Sequence, residues 1–401
     1  MKHKPALRLW FFLLASFAAF AALAAAQPVT PASGGTAQTA FIGLTIWPMF
    51  HRSATHTGYN PAEDTLNPGN VGGLTVRWKA HTGPVTQASP IVANGVVYIG
   101  SSNHNLYAFH ASTGHALWTA TTGGILTSPA WSDGVVYVAS GDYNLYAYNA
   151  ASGQPVWTTS LGGVGASPTI ANGAIYIGAS VVQAGGDNYM YSVDPATGQV
   201  LWTAGPFGFA TPNYALSAAV DNDNLYFSFY NLFLWLFNVD GAGELAESIS
   251  CTSSPAVADG LVYVGWGGSL AALNASAFGI TWSAGTSGTI FSSPAVANGI
   301  VYVGSDDDHL YALNAATGAQ IWSAATSGPV GSSPAVANGV VYVGSDDGSL
   351  YAFDALSGAQ LWSGATAAPV ESSPAVVDGI VYVGSEDGYL YAFGLPTAAP
   401  R

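Results

Sequence analysis

This 401-residue chain contains several copies of a sequence repeat, here called the repeated phrase, and acidic side chains recur at one position in it. They stand in pairs within short polar stretches, as in Ser345-Asp346-Asp347-Gly348. Carboxylates brought together in this way could bind Ca²⁺ or a cationic partner. Asp and Gly also form good turns without any ligand, and that is the simpler explanation. The candidate acidic face consists of Asp142, Asp306, Asp307, Asp346, Asp347, Glu386 and Asp387.

Aromatic side chains concentrate where the third and fourth copies of the phrase depart from the others. The run from Leu225 to Phe237 is rich in Phe, Tyr and Trp and has no acidic turn, and Trp266 stands where other copies have Ser. An exposed aromatic surface would suit a protein partner, a peptide or a sugar. Repacking of an irregular copy is the alternative, and burial of both Trp235 and Trp266 would favour it. The candidate interaction patch consists of Phe207, Phe209, Tyr214, Tyr230, Phe233, Trp235 and Trp266.

Neither the single cysteine nor the histidines form a catalytic or metal-binding pattern. Cys251 falls at the start of a predicted inner strand, where we expect a small buried side chain and not a reactive thiol. No histidine pair has metal-ligand spacing beside a Cys or a carboxylate. No nucleophile–base pair or carboxylate dyad can be chosen, so we predict no catalytic, cofactor-binding or metal-binding residue. The histidines beyond the N-terminal apolar run are His51, His56, His81, His104, His110, His115 and His309.

The charge distribution excludes several classes of partner. The whole chain has 7 basic and 22 acidic residues, and three of the basic residues lie in the first eight positions. Between Ala80 and Pro400 there is no Lys or Arg. Nucleic-acid binding needs cations that displace the counterions of the phosphates, so it is excluded. Adhesion to anionic lipid through a basic patch is excluded for the same reason.

The repeated phrase predicts the elements that position these side chains. It begins at Ser293, Ser333 and Ser373, and in looser form at Ser89, Ser128, Ser167, Ser217 and Ser254. Successive copies are 39, 39, 50, 37, 39, 40 and 40 residues apart. A period near 40 with four short apolar runs per copy is typical of the four-stranded blade of a β-propeller.

One copy shows how the blade is built. Asn338-Gly339 is a hairpin-turn dipeptide that separates a short run of small apolar residues from the β-branched run Val340–Val343. Further turns separate a third and a fourth run, and the fourth contains Trp362. We predict that one Trp per blade docks between neighbouring blades, and that Leu245 takes its place in the fourth. The predicted docking residues are Trp78, Trp118, Trp157, Trp202, Trp282, Trp322 and Trp362.

The two ends of the repeat region complete each other. Leu74–Trp78 is an outer strand without inner strands, whereas the last copy, Ser373 to Phe393, has three strands and no outer one. Joining them closes the ring and removes exposed sheet edges. We therefore predict an all-β, eight-bladed β-propeller of four-stranded antiparallel blades over residues 74–395, with a short tail at 396–401.

The repeat resembles a known family. Ala312-Leu-Asn314-Ala-Ala-Thr-Gly318-Ala-Gln-Ile-Trp322, and its counterpart that ends at Trp362, are similar to the tryptophan-docking motif of pyrroloquinoline-quinone-type propellers. The resemblance implies the fold and leaves the function open. The family includes quinone-dependent alcohol and sugar dehydrogenases, the lipoprotein scaffold of outer-membrane β-barrel assembly, and secreted propellers without catalysis.

The resemblance raises the question of a quinone cofactor. Pyrroloquinoline quinone carries three carboxylates, and a buried site would neutralise them with Arg or Lys. The repeats contain neither. The vicinal Cys pair of many family dehydrogenases is also missing. We therefore predict no cofactor, with pyrroloquinoline quinone plus Ca²⁺ as the alternative.

The N-terminus predicts export. Lys2, Lys4 and Arg8 precede an apolar run that ends in Ala24-Ala25-Ala26, which is typical of a signal peptide spanning residues 1–26. An uncleaved membrane anchor is the alternative. No Cys follows the run, so a lipid anchor like that of the assembly lipoprotein is not expected. We interpret 27–45 as a flexible leader, and 46–73 as an irregular segment that wraps the outside of the propeller.

These features predict a periplasmic or secreted, non-catalytic propeller that acts as an interaction scaffold or binding module. We expect an unidentified protein partner, no insertion in the membrane after signal cleavage, and a monomer. A quinone-dependent dehydrogenase and a secreted carbohydrate-binding module are the alternatives.

Overall fold

The structure is a computed structural model that describes residues 46–85, 88–180, 187–207, 215–243 and 245–396. The expected signal peptide (1–26), the leader (27–45), Phe209 and Tyr214 lie outside this range. Within it, the structure contains no helix with the length and hydropathy needed to cross a membrane.

Each copy of the repeated phrase folds into one four-stranded antiparallel sheet. We name its strands A to D from the innermost to the outermost. In the seventh copy, Asn338 and Gly339 both have positive φ, as the two-residue turn between strands A and B requires. Asp354 then accepts hydrogen bonds from the backbone N–H groups of Leu356 and Ser357, which fixes the turn between strands C and D.

Eight such sheets confirm the predicted eight-bladed propeller. Blades 1 to 4 contain β3 Ile91–Ala93, β4 Val96–Gly100, β5 Asn105–His110, β6 Ala116–Thr121; β7 Ala130–Ser132, β8 Val135–Ala139, β9 Asn144–Asn149, β10 Pro155–Ser160; β11 Val164–Gly165, β12 Thr169–Ala171, β13 Ala174–Ser180, β14 Asn188–Val193, β15 Val200–Ala204; β16 Ala219–Asp221, β17 Asn224–Ser228, β18 Leu234–Asn238 and β19 Leu245–Glu247. Blades 5 to 8 contain β20 Ala256–Ala258, β21 Leu261–Trp266, β22 Ser269–Asn274, β23 Ile280–Gly285; β24 Ala295–Ala297, β25 Ile300–Ser305, β26 His309–Asn314, β27 Gln320–Ala325; β28 Ala335–Ala337, β29 Val340–Ser345, β30 Ser349–Asp354, β31 Gln360–Ala365; β32 Ala375–Val377, β33 Ile380–Gly384, β34 Tyr389–Gly394 and the N-terminal β2 Thr75–His81.

Tryptophan side chains join neighbouring blades. The indole N–H of Trp322 donates to the carbonyl of Ala355 in the next blade at 3.1 Å, and Gly358, at φ +72°, lies against its ring. A Cβ at Gly358 would come within 2.7 Å of the indole, so the glycine is needed for close docking. The indoles of Trp78, Trp118, Trp157, Trp202, Trp282 and Trp362 make the same kind of bond, to Ala111, Ala150, Pro195, Val239, Ala315 and Leu74.

The ring closes as the sequence predicts. Strand β2 pairs antiparallel with β34, so that Trp78 lies opposite Ala392 and supplies the outer strand of blade 8. The first and last parts of the repeat region thereby form one sheet, and β2 covers the edge of β34.

The segment before β2 follows an unexpected path. Residues 47–60, here called the inner ring, run around the inside of the central channel and meet the blades in order. At six blades the middle residue of strand A donates its N–H to a carbonyl of this segment at 2.7–2.8 Å. The donors in blades 1, 2, 4, 5, 6 and 7 are Val92, Trp131, Val220, Val257, Val296 and Val336, and the acceptors are Trp47, Pro48, Ala54, Thr55, Thr57 and Gly58.

Side chains of the inner ring complete the circuit. His56 contacts Thr169 of blade 3 at 3.1 Å, and the amide of Asn60 donates to the carbonyl of Val376 in blade 8 at 2.8 Å. Tyr59–Asn60 forms a short strand, β1, parallel to β28. The prediction that this segment wraps the outside is therefore wrong. The free edges of the A strands face the axis, and a chain inside the channel satisfies backbone groups that would otherwise be buried without partners.

From the axis the chain crosses one face of the propeller to reach β2. Glu63 accepts the N–H of Gly379 at 3.1 Å, and the amide of Asn338 donates to the carbonyl of Leu66 at 2.8 Å. These contacts lie at turns between strands A and B. A single 3₁₀ turn, Val71–Gly73, then precedes β2.

Candidate functional site

Two histidines fill the middle of the inner ring. His51 and His56 are 2 % and 1 % exposed, and their ring centroids are 6.5 Å apart. His51 Nδ1 donates to the carbonyl of His56 at 3.0 Å. The hydroxyl of Thr169 donates to the carbonyl of Ala218, so it accepts from His56 Nε2. Each ring therefore holds its one proton at a named nitrogen, and both are neutral.

Burial sets the charge state of this pair. It lowers the pKa of His51 to about 4 and that of His56 to about 3, and the proximity of His51 contributes to the second shift. His51 Nε2 and His56 Nδ1 have no hydrogen-bond partner among the described residues. The two histidines are thus uncharged at neutral pH, and the protein's own side chains occupy the space around them.

The acidic pairs lie on the opposite face from the segment that crosses to β2. There the turns between strands B and C, the BC turns, meet the loops that connect one blade to the next. The second acid of each pair is a structural group: Asp347 Oδ2 accepts the hydroxyl of Tyr351 at 2.5 Å and the N–H of Ser327, in the loop from the preceding blade, at 3.1 Å. The same two contacts recur at Asp142, Asp307 and Asp387.

We call this pair of contacts the clip, and Asp142, Asp307, Asp347 and Asp387 the clip residues. The pKa of Asp142 reflects these contacts. Burial alone would raise it, but the hydrogen bonds from Tyr146 and from the N–H of Gly123 lower it. The four clip residues therefore act in local structure, and their contacts explain why the acid recurs in several blades.

The first acid of each pair has different surroundings. Asp306, Asp346 and Glu386 belong to consecutive blades and, with Glu371 in the loop before blade 8, form what we call the acidic rim. Burial first, and then the charges of Asp306 and Glu386, raise the pKa of Asp346. Burial, followed by Glu386 and Asp346, likewise raises the pKa of Glu371. The residues of the rim therefore repel one another.

No metal site is formed in the part of the chain that the structure describes: it contains no group of three or more His, Cys, Asp or Glu side chains placed to hold an ion. Cys251 is buried, and burial raises the pKa of its thiol to about 12. It is therefore a protonated core side chain.

The candidate interaction patch divides into buried and exposed members. Phe207 and Trp235 are each 6 % exposed, and their ring centroids are 5.0 Å apart within a cluster of aromatic rings. They are core residues, which corrects their assignment to a contact surface. Phe207 follows the outer strand of blade 3 and Trp235 lies in blade 4, so that their rings pack in one cluster between the two sheets, where large rings fill the space left by the irregular sequence of blade 4.

The exposed aromatics lie on the BC-turn face. Phe233 is 47 % exposed and Trp266 is 37 % exposed, while Tyr230 is half-buried. Tyr230 stacks on Phe291, with centroids 6.0 Å apart. Phe291 is 43 % exposed, and sequence reasoning missed it. Its position in the sequence could have indicated it: Phe291 stands two residues before Ser293, where the next two copies have Gly331 and Glu371.

Backbone bonds join the segments that carry Tyr230, Trp266 and Phe291, and Phe233 follows Tyr230 in the same turn; these four residues are here called the aromatic patch. Cys251 pairs with Trp266 in a β-bridge, and its carbonyl accepts the N–H of Asn231, next to Tyr230. Ile290, next to Phe291, donates its N–H to the carbonyl of Gly267. The patch therefore spans blades 4 to 6 on the face that carries the acidic rim.

Comparison with known proteins supports the fold. A family model described as outer membrane protein assembly factor BamB matches residues 73–231, 234–330 and 314–398. No curated protein sequence shows significant similarity to the chain.

Solved structures with the same architecture include an alcohol dehydrogenase and an assembly factor. Quinohemoprotein alcohol dehydrogenase from Comamonas testosteroni superposes with a TM-score of 0.75 at 16 % identity, covering 89 % of this chain and 82 % of that one. BamB from Moraxella catarrhalis superposes with a TM-score of 0.66 at 16 % identity, covering 82 % of this chain and 99 % of that one. At these identities the likeness shows the fold alone.

Proposed function

The chain belongs to the propeller family described as outer membrane protein assembly factor BamB, and from this premise we propose that it is a non-catalytic interaction scaffold. We further propose that it is exported through the N-terminal signal peptide to the periplasm or beyond. Its partner is a protein that docks on the BC-turn face, and it works without a cofactor.

The inner ring is the observation that carries this proposal. Its backbone carbonyls accept hydrogen bonds from the free edges of the A strands in six blades, and its side chains contact the other two blades. A quinone with three carboxylates on the axis would have to displace these bonds. Each backbone group left buried without a partner would cost about 1–3 kcal/mol.

The charges near the axis support the same conclusion. Arg52 is the single basic residue of the inner ring, and burial lowers the pKa of its guanidinium. One arginine cannot neutralise three carboxylates, and the next cations along the chain, Arg77 and Lys79, belong to outer strand β2. The residues present at the axis therefore do not fit pyrroloquinoline quinone.

Calorimetric titration of the exported protein with pyrroloquinoline quinone, with and without Ca²⁺, tests the proposal. We expect no heat of binding under either condition. Binding with a dissociation constant of about 1 μM or tighter would overturn the scaffold assignment and favour the quinone-dependent dehydrogenase.

A carbohydrate-binding module is a second candidate, favoured by the exposed rings of Trp266 and Phe291. Flat aromatic faces with few charges suit stacking on sugar rings. Titration with neutral oligosaccharides, followed by the same titration of Trp266→Ser, tests it. Heat that disappears in the variant would support a sugar ligand, and its absence in the parent protein would exclude the oligosaccharides used.

A further inference from the structure

We propose that the aromatic patch and the acidic rim form one docking site for a basic, apolar peptide segment of a partner protein. The segment would carry Lys or Arg beside aliphatic or aromatic side chains. This inference rests on the scaffold function and specifies the chemistry of the partner.

The aromatic patch provides the apolar half of the site. Three of its rings have more than a third of their surface in water, and the fourth, Tyr230, holds Phe291 by stacking. Clustered exposed aromatics are rare on a monomer and are enriched where proteins dock. Most blades place small or polar residues at these turn positions, such as Ser305 and Gly331, so the fold itself does not require rings there.

The acidic rim begins where the aromatic patch ends. The N–H of Asp306 donates to the carbonyl of Thr289, two residues before Phe291, at 3.0 Å. The equivalent bonds join Asp346 to Pro329 and Glu386 to Pro369, so the rim continues through blades 7 and 8 along the same inter-blade contact. The surface therefore changes from apolar to anionic between one blade and the next.

Among the residues that the structure describes, no Lys or Arg pairs with this rim. Between Ala80 and Pro400 it has no Lys or Arg. Lys79 lies over the ring of Tyr389, and the guanidinium of Arg77 bonds to the carbonyl of Leu395, directly after strand β34. Among the described residues the one ion pair within 4 Å is His309 with Asp307, which is a clip residue outside the rim.

Charge complementarity therefore selects the occupant. A Lys or Arg side chain would relieve the mutual repulsion of Asp306, Asp346, Glu371 and Glu386 and could also lie over an adjacent ring of the aromatic patch. Anionic lipid would be repelled, and the described carboxylates are not arranged to hold a metal ion. A neutral sugar would leave the carboxylates of the rim without a cationic partner, so a basic peptide fits the whole surface best.

Fluorescence anisotropy with synthetic peptides tests the inference. The probe is a labelled peptide that alternates Lys with Leu and Phe. One comparison peptide replaces each Lys by Glu, and another replaces each Leu and Phe by Ser. We expect the basic apolar peptide to bind and each comparison peptide to bind about tenfold more weakly or worse. Binding should weaken as salt rises, because the rim is exposed to screening.

Variants of the full-length protein locate the binding site. Trp266→Ser with Phe291→Gly removes rings in favour of residues found in sister blades, and Asp346→Asn with Glu371→Gln removes charge. We expect each pair to weaken peptide binding about tenfold while thermal unfolding stays cooperative. Leu356→Ser is the matched control, because Leu356 is 73 % exposed in a CD turn on the opposite face, and it should bind like the parent protein.

Several outcomes would overturn the inference. These are no binding of the basic peptide, equal binding of the Glu peptide, or unchanged binding by both variant pairs. The quinone titration is independent of these measurements. A protein that binds neither quinone nor peptide would keep the scaffold function and lose this docking site, whereas quinone binding would remove the scaffold function itself.

Discussion

Asp346 and Asp347 are neighbours in one turn, yet their carboxylates lie in different surroundings. Asp347 receives a tyrosine hydroxyl and a backbone N–H from the loop before its blade. Asp346 lies near the carboxylates of Asp306 and Glu386, whose charges add to burial in raising its pKa. Each of the two aspartates also has one buried oxygen without a partner among the described residues. The first residue is therefore repelled by its neighbours, while the second stabilises the junction between blades.

Alanine substitutions should separate these two roles. We expect Asp347→Ala to lower the free energy of unfolding by about 1.5–3 kcal/mol, because two charge-assisted hydrogen bonds are lost. Asp346→Ala should leave it within about 0.5 kcal/mol of the parent or raise it, because repulsion is relieved. Urea unfolding of the two variants measures the difference. Equal losses in both would show that the clip is not the stabilising contact.

Among the structural elements, the inner ring occupies the central channel and contacts the inner strands. It bonds to six inner strands through its backbone, and the carbonyl of Gly58 accepts the N–H of Val336 at 2.8 Å. Gly58 has φ +59°, and a Cβ there would lie 2.8 Å from the carbonyl oxygen of Pro334 and 3.0 Å from Cβ of Ala295. This position therefore requires glycine both for its conformation and for its space.

A pair of glycine substitutions measures the packing of the inner ring. Gly95, at φ +73°, is the matched control, because a Cβ there would meet no atom within 4 Å. We expect Gly95→Ala to cost about 1 kcal/mol for the left-handed conformation alone. Gly58→Ala should cost about 3 kcal/mol, since overpacking is added. Thermal and urea unfolding provide both values. Equal costs would mean that the inner ring is not closely packed against blades 6 and 7.

For the whole molecule, stability should depend on pH through groups of opposite sign. His51 and His56 have lowered pKa values, so the stability that they allow is complete above about pH 6.5 and is lost as the pH falls. The rim carboxylates Asp306, Asp346 and Glu371 have raised pKa values. Their repulsion is relieved by protonation, so the stability they contribute increases as the pH falls.

A double substitution isolates the histidine contribution. His51→Asn and His56→Gln each keep a hydrogen-bond donor near the original nitrogen but do not titrate. Relative to this variant, the parent should lose about 2 kcal/mol per histidine between pH 6.5 and pH 5, because its unfolded chain binds protons that the folded ring does not. Urea unfolding at several pH values gives the two curves. Parallel curves would show that the histidines are hydrated in the folded protein.

The repeated architecture can be read from the sequence alone. The spacing of the Ser-Pro phrase, the Asn-Gly turns and one Trp per copy specify blades whose strands pair over short separations, and Leu74–Trp78 marks the closing strand. These contacts are local or recur in every copy, so a period in the sequence is enough to reveal them. For the same reason the recurrence of Asp347 indicated a turn residue before its bonds were known.

Only the tertiary structure decided what lies at the axis and what faces water. The inner ring joins residues 47–60 to strands up to about 300 positions away, and no local pattern marks a chain whose partners lie in eight separate blades. Trp235 is buried and Trp266 is exposed although both are aromatic, because the first lies within a packed strand and the second at the end of one. Phe291 joined the patch through contacts between blades, which depend on how the sheets are placed around the ring.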